Sequence, residues 1–195
     1  MLKPAMKYVQ QINDNLISTW YDPKYNYYLI SRDLYNPSTD GDTKHEFVSV
    51  DENDMVLAYI EFVTYANDNT AGGWELVSFI EPSNTINAFR LMDDLLYLIN
   101  LAFNIEDKTR LEFRCIIENP AIKSYRKFIE KFGGVEIRLR QYIRIKNKLH
   151  DEAIFEILKE EFDFEKFNIY RRKVKSKLYK MIERLSKNEI QDDNS

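Results

Sequence analysis

The chain has 195 residues, of which 44% are hydrophobic and 14% aromatic, and its formal net charge at pH 7 is −4. A chain of this length buries roughly 70% of its unfolded surface, so we expect one domain with a substantial core. A single cysteine excludes an intramolecular disulfide, and no apolar run approaches the ~20 residues that cross a bilayer, so we expect a soluble, unprocessed cytoplasmic protein.

The charge is unevenly distributed along the chain. Residues 165–195 hold nine Lys/Arg against five Asp/Glu, whereas residues 1–164 hold 19 against 27. An acidic body argues against nucleic-acid binding by the main domain, although the basic tail could attract a polyanion.

The first half of the chain predicts a helix and then three antiparallel strands. Apolar residues recur at helical spacing from Met6 to Trp20, and the helix ends before Asp22-Pro23. The aromatic segment 21–35 follows, and it is either a wall of an acceptor site or simply core. We predict strands at residues 45–51, 55–65 and 74–80, with a loop at residues 67–73 before the third.

The second half predicts a helix through Phe103, a parallel strand, a second helix, a hairpin and a terminal helix. The strand spans residues 110–118, and the following helix has Pro120 in its first turn and ends at Gly133. The hairpin strands, each with one buried face, are at 135–145 and 152–158, with a turn at 147–151. We therefore predict an α/β fold with a mixed, mostly antiparallel sheet of about six to seven strands flanked by helices. The predicted units are a domain at 1–162, a basic amphipathic helix at 163–190 and a disordered tail at 191–195.

Three motifs resemble those of the GNAT family of N-acetyltransferases. They are Ile117-Glu118-Asn119-Pro120-Ala121 after the fifth strand of that fold, Leu101-Ala102-Phe103 and Lys131-Phe132-Gly133. The resemblance covers roughly residues 48–162, and the ending at 150–158 also looks like the terminal hairpin of the branch that acetylates ribosomal-protein N-termini. It implies acetyl-CoA as cosubstrate and an amine of a protein, peptide or small molecule as acceptor.

The chain departs from the family in its phosphate-binding loop, because no glycine lies between Ile80 and the next helix. Free N–H groups at a helix start attract phosphate even without glycine, so the resemblance places the pyrophosphate there. The cofactor-binding residues that it implies are Ser78, Phe79, Ile80, Ser83, Asn84, Thr85, Asn87, Ala88 and Asn119.

The resemblance also implies catalytic roles. Tyr125 would protonate the departing thiolate, or else it is a core tyrosine beside Phe128. Glu75 and Glu81, at the two ends of the central strand, are the candidate general bases, or else solvated strand-end carboxylates. Asn119 either contacts the cofactor or only forms a turn.

The sequence is compatible with two other classes of function. The chain could be a catalytically inactive GNAT-like interaction protein that acts through its C-terminal helix, as a homodimer or with an acidic partner. Nucleic-acid binding through that helix is a third possibility, which we disfavour. His45 and His150 are far apart in sequence and lack a ligand framework, so we expect no metal site.

Overall fold

The computed structural model describes residues 1–19, 34–38, 44–65, 68–80, 84–145 and 147–192. These residues form one seven-stranded sheet whose strand order is β1-β2-β3-β4-β5-β7-β6. All neighbouring strands are antiparallel except β4 and β5, which are parallel, so the predicted α/β fold with a mixed sheet is confirmed. The strands are β1 (Leu2–Pro4), β2 (Lys44–Val50), β3 (Val56–Tyr65), β4 (Asp68–Ser78), β5 (Arg110–Ile116), β6 (Val135–Ile145) and β7 (Lys148–Leu158).

Four helices cover the two faces of this sheet. They are α1 (Val9–Thr19), α2 (Thr85–Asn104), α3 (Ile122–Phe132) and α4 (Phe164–Asp192). Ile12 and Leu16 of α1 pack against Val48 of β2, and we call this side the α1 face. Helices α2, α3 and α4 pack on the opposite side, which we call the α3 face. Within the described residues, no helix has both the length and the apolar composition needed to cross a membrane.

The predicted loop at residues 67–73 is wrong, because strand β4 already begins at Asp68. Gly72 and Gly73, which the prediction placed in that loop, lie inside the strand. A Cβ atom on Gly72 would lie 2.5 Å from Cζ of Phe62 on β3, so the glycine makes room for that aromatic ring.

Other boundaries also shift from the prediction. Strand β4 ends at Ser78 rather than at residue 80, and α3 begins at Ile122, after a turn that contains Pro120. The predicted turn at 147–151 is too long, since β7 starts at Lys148 and only Asn147, with φ of 65°, remains of it among the described residues.

The hairpin strand β6 does not bury the face that its alternation predicted. It is the outer strand of the sheet, and Val135 and Ile137 are 47% and 44% exposed. The pairing with β7 also shifts between Leu139 and Ile143, where Gln141 has φ of 49°. Period-2 alternation identified the strand correctly, but the position of a strand in the sheet decides how much of it is buried.

The terminal helix α4 contributes to the main core. Phe167 is completely buried and Val174 is 3% exposed, and both belong to the cluster that contains Phe132 and Phe162. The predicted boundary between a domain at 1–162 and a separate helix stays a prediction, and residues 193–195 lie outside the described part.

Candidate active site

A cavity of about 470 Å³ lies where the two parallel strands separate. Strands β4 and β5 pair only from Ala71 to Trp74 on β4 and from Arg110 to Phe113 on β5. Beyond these residues the strands diverge, and both Ser78 of β4 and residues of the α3 segment line the opening. The cavity therefore passes through the sheet and has an end on each face.

Backbone amides of β4 point into this gap. The amide of Phe79 donates to the carbonyl of Leu57 on β3 at 2.8 Å. Because successive residues of an antiparallel strand direct their amides to opposite sides, the amides of Leu76 and Ser78 face the other neighbour, β5. Pairing with β5 ends at Trp74, so these two amides point into the cavity as hydrogen-bond donors.

The end of the cavity on the α3 face carries two residues predicted from the sequence, Tyr125 and Asn119. The Tyr125 ring packs against Phe113 and Phe155, with centroid distances of 5.7 and 5.4 Å, and this packing holds the side chain in place. Tyr125 is therefore both a core tyrosine and a cavity residue.

Asn119 forms the expected turn and also lines the cavity. Its Oδ1 accepts a hydrogen bond from the amide of Ala121 at 2.9 Å, which forms the turn before α3. Asn119 also lines the cavity, and no residue in the described part of the chain accepts a hydrogen bond from its Nδ2. That amide group can bind a ligand.

The end of the cavity on the α1 face carries carboxylates, and Glu152 of β7 is the most unusual of them. Glu152 is 3% exposed, and its Oε2 has no hydrogen-bond partner. Arg114 Nη1 lies 3.7 Å from Oε2, within ion-pair range but too far for a good hydrogen bond. Burial, together with the charge of Glu75, raises the pKa of Glu152, and Arg114 opposes this only in part. A raised pKa makes Glu152 a stronger base than an ordinary exposed glutamate, which suits a proton acceptor.

Glu75, one of the two predicted bases, is exposed and lies at the same end of the cavity. Cys115 also lines the cavity, but burial raises the pKa of its thiol to about 12, with a smaller contribution from Glu152. A thiol with this pKa is protonated at neutral pH, so Cys115 is not a nucleophile here.

Several predicted residues lie away from the cavity. The side chain of Phe79 packs in the cluster under α1, and that of Ile80 packs against α2. Glu81 and Ser83 fall outside the described residues. Asn84, Thr85, Asn87 and Ala88 form the start of α2 and are not among the described residues that line the cavity.

The start of α2 is nevertheless organised as a helix N-terminus. Asn84 Oδ1 accepts a hydrogen bond from the amide of Asn87 at 3.0 Å, so this amide is already satisfied. The amides of Thr85 and Ile86 have no acceptor among the described residues, as expected in a first helical turn. Two amides therefore remain for an anion.

Glu152 was missed by the sequence analysis, and no local signal marked it. Alternation along β7 puts Ala153, Phe155 and Ile157 on the buried α3 face, so Glu152 belongs to the polar face of its strand. It is buried because it pairs with Ile116 at the end of β5, next to the point of strand separation. Among the described residues, no three potential metal ligands come together.

Known proteins resemble this chain in structure but not detectably in sequence. No protein-family model and no curated protein matches the chain. A spermidine N-acetyltransferase from Vibrio cholerae, solved with CoA and spermine, superimposes with a TM-score of 0.60 at 16% identity, over 83% of this chain and 96% of the other. A GCN5-related N-acetyltransferase from Brucella melitensis superimposes with a TM-score of 0.58 at 18% identity, over 82% and 76%. The chain therefore has the fold of the GCN5-related N-acetyltransferases, abbreviated GNAT above.

Proposed function

We propose that the chain is an acetyl-CoA-dependent N-acetyltransferase that acts on an amine. The observation that supports it is the cavity between β4 and β5, which has free amides on one wall, Tyr125 at one end and Glu152 at the other. The similar structures from Vibrio cholerae and Brucella melitensis are N-acetyltransferases, which supports the same chemistry here. The narrower resemblance to the ribosomal-protein branch remains a proposal.

The residues around the cavity fit the cosubstrate. When bound, acetyl-CoA supplies an acetyl group activated as a thioester. The amides of Leu76 and Ser78 can hold its carbonyl oxygen, and Asn119 Nδ2 can donate to an amide carbonyl of the pantetheine arm. The two open amides at the start of α2 suit the pyrophosphate, and their binding does not require the glycines of the usual loop.

The cavity contains a candidate proton donor for the departing sulfur and a candidate proton acceptor for the amine nitrogen. The amine nitrogen forms the new C–N bond as the C–S bond breaks, and Leu76 and Ser78 stabilise the negative charge that develops on the oxygen. Tyr125 gives a proton to the departing sulfur, and Glu152 accepts the proton that the nitrogen loses. We assign this acceptor role to Glu152 rather than to Glu75, because Glu75 is exposed and Glu152 is buried.

The alternative of an inactive interaction protein depends on α4. The apolar face of this helix is buried against the domain through Phe167, Val174 and Leu178. A partner of α4 would have to bind its basic outer face instead, and no observation favours one.

Cosubstrate binding is tested by thermal unfolding with acetyl-CoA and with CoA. Ligand at 100 times its dissociation constant adds about 2.7 kcal/mol, and 1 kcal/mol corresponds to about 2–4 °C for a domain of this size. We expect the melting temperature to rise by about 5–10 °C. No shift at millimolar acetyl-CoA would refute the proposal.

Proton donation is tested with Tyr125→Phe. Loss of a general acid typically costs about 10²–10⁴-fold in rate. We expect kcat to fall at least about tenfold, while the affinity for acetyl-CoA stays near the wild-type value. Tyr97→Phe makes the same chemical change on the outer side of α2, where the side chain is 46% exposed, and should leave kcat unchanged. Equal losses of kcat and affinity in Tyr125→Phe would make Tyr125 a structural residue only.

A further inference from the structure

Glutamates stand directly opposite one another on the α1 face of the sheet. Glu46 of β2 pairs with Glu61 of β3, and Glu61 pairs with Glu75 of β4. Farther along the sheet, Glu112 of β5 pairs with Glu156 of β7. Like charges directly opposite on neighbouring strands destabilise a sheet, so a row of three such pairs needs compensation.

Part of this row is compensated within the protein. The Tyr59 hydroxyl lies 3.0 Å from Glu46 and 2.9 Å from Glu61, and Tyr35 donates to Glu46 at 3.1 Å. Lys44 Nζ lies 2.9 Å from Glu61. Burial and the adjacent carboxylates raise the pKa of Tyr59, so its hydroxyl remains a proton donor. Glu46 and Glu61 are thus provided with donors and a cation.

Arginines balance the other pair. Arg110 lies 3.4 Å from Glu112 and 4.0 Å from Glu156, and Arg114 lies 4.0 Å from Glu112. Both arginines lie on β5, the strand that carries Glu112 and pairs with β7, which carries Glu156.

The carboxylates at the cavity are the least compensated of this face, since Glu152 has only Arg114, 3.7 Å from its Oε2. Glu75 has no hydrogen bond or ion pair with any described residue, and Glu152 has a buried oxygen without a hydrogen-bond partner. Of the six glutamates of this face, five lie within 4.0 Å of a cation, which is Lys44, Arg110 or Arg114; they are Glu46, Glu61, Glu112, Glu152 and Glu156. Among the described residues, the two least compensated carboxylates of this face, Glu75 and Glu152, line the cavity.

We infer that the acceptor is a linear diamine or polyamine, whose reacting nitrogen reaches Glu152 while a second ammonium group binds Glu75. This inference rests on the proposed acetyl transfer and narrows its acceptor. An ammonium group at Glu75 supplies the missing charge and a charge-assisted hydrogen bond. Because Glu152 is 3% exposed, only a slender, unbranched chain can reach it from the α1 face.

The test compares 1,4-diaminobutane with n-butylamine, which has the same carbon chain and one nitrogen fewer. Binding of each amine is measured by isothermal titration, with and without CoA, and acetylation is followed by release of the CoA thiol. We expect the diamine to bind the wild-type protein at least about tenfold more tightly, and this advantage to shrink in about 0.5 M salt. Glu75→Gln should remove most of the advantage. Glu130→Gln, an exposed carboxylate on α3, should keep it.

Three results would overturn the inference. They are equal affinity of the wild-type protein for both amines, an undiminished diamine advantage in Glu75→Gln, and tighter binding of a lysine-containing peptide than of the diamine. Failure of the proposed function has a different signature, namely no thermal shift with acetyl-CoA. The amine titration without CoA does not depend on that result.

Discussion

Replacing Glu152 with Gln should stabilise the folded chain at neutral pH while it lowers acetyl transfer. Glu152 is 3% exposed, and its Oε2 lacks a hydrogen bond. Burial and the charge of Glu75 raise the pKa of Glu152, so its ionised form costs free energy in the folded state. Glutamine has a similar shape and no charge, so the substitution removes this cost.

The magnitude follows from two opposing effects. Glutamine is still a buried polar group, so the substitution removes only the cost of the charge, and each unit by which the pKa of the folded state exceeds that of the unfolded state corresponds to about 1.4 kcal/mol. The contact with Arg114 offsets part of this cost, but the Arg114 side chain is 47% exposed and such pairs contribute at most about 1 kcal/mol. We therefore expect a net gain of about 1 kcal/mol, which corresponds to about 2–4 °C in melting temperature.

The stability difference between Glu152→Gln and the wild type should depend on pH. Below the ordinary pKa of glutamate, about 4.3, Glu152 is protonated in both the folded and the unfolded chain, and the cost is absent. As the pH rises above this value the unfolded chain ionises first, so the wild-type protein loses stability until the pH passes the raised pKa of the folded state. The advantage of Glu152→Gln should therefore be larger at pH 7.5 than at pH 4, where it should nearly vanish.

Urea unfolding at these two pH values measures the difference, with Glu130→Gln as an exposed control that should match the wild type. If Glu152→Gln is less stable than the wild type at pH 7.5, the Arg114 contact outweighs burial and the reasoning is wrong. A gain of equal size at pH 4 would attribute the effect to packing instead of charge.

Two further predictions concern stability. Gly72→Ala should cost about 1–3 kcal/mol, because its Cβ would clash with Phe62; adding Phe62→Leu should recover part of this loss, and purely additive effects in urea unfolding would argue against the clash. Deleting residues 164–192 removes Phe167 and Val174, whose burial contributes about 1.5–3 kcal/mol each, and exposes the aromatic cluster beneath them. We therefore expect the truncated protein to lose cooperative thermal unfolding. A truncated protein that melts at the wild-type temperature would instead make α4 an independent element.

Much of the fold could be predicted from local pattern. Leu111, Phe113 and Cys115 share the buried α3 face of β5, as their alternation indicated. The exposure of β6 could not be predicted in this way, because it depends on which strand becomes the edge of the sheet. The predicted loop over Gly72 and Gly73 was wrong for a related reason, since the contact that requires a glycine at position 72 comes from Phe62 on another strand.

The candidate site was predicted in part. The resemblance selected Tyr125, Asn119 and Ser78, the end of the central strand suggested Glu75, and the structure brings all four to one cavity. Their roles stay predictions. Glu152 was not found, since its burial arises from the separation of β4 and β5 and not from its own neighbours in sequence.

The arrangement of charge on the α1 face argues that this burial has a functional origin. Where Glu46 and Glu61 oppose each other, the chain supplies Tyr59 and Lys44 to compensate. It supplies no comparable donor to Oε2 of Glu152, which is more deeply buried and would gain more from one. A carboxylate left in this state lowers stability, and its position at the cavity makes a ligand the natural partner. The two readouts of Glu152→Gln therefore belong together: higher stability at neutral pH with slower acetyl transfer fits a group kept for chemistry, whereas higher stability with unchanged turnover would mean that the cavity does not use Glu152.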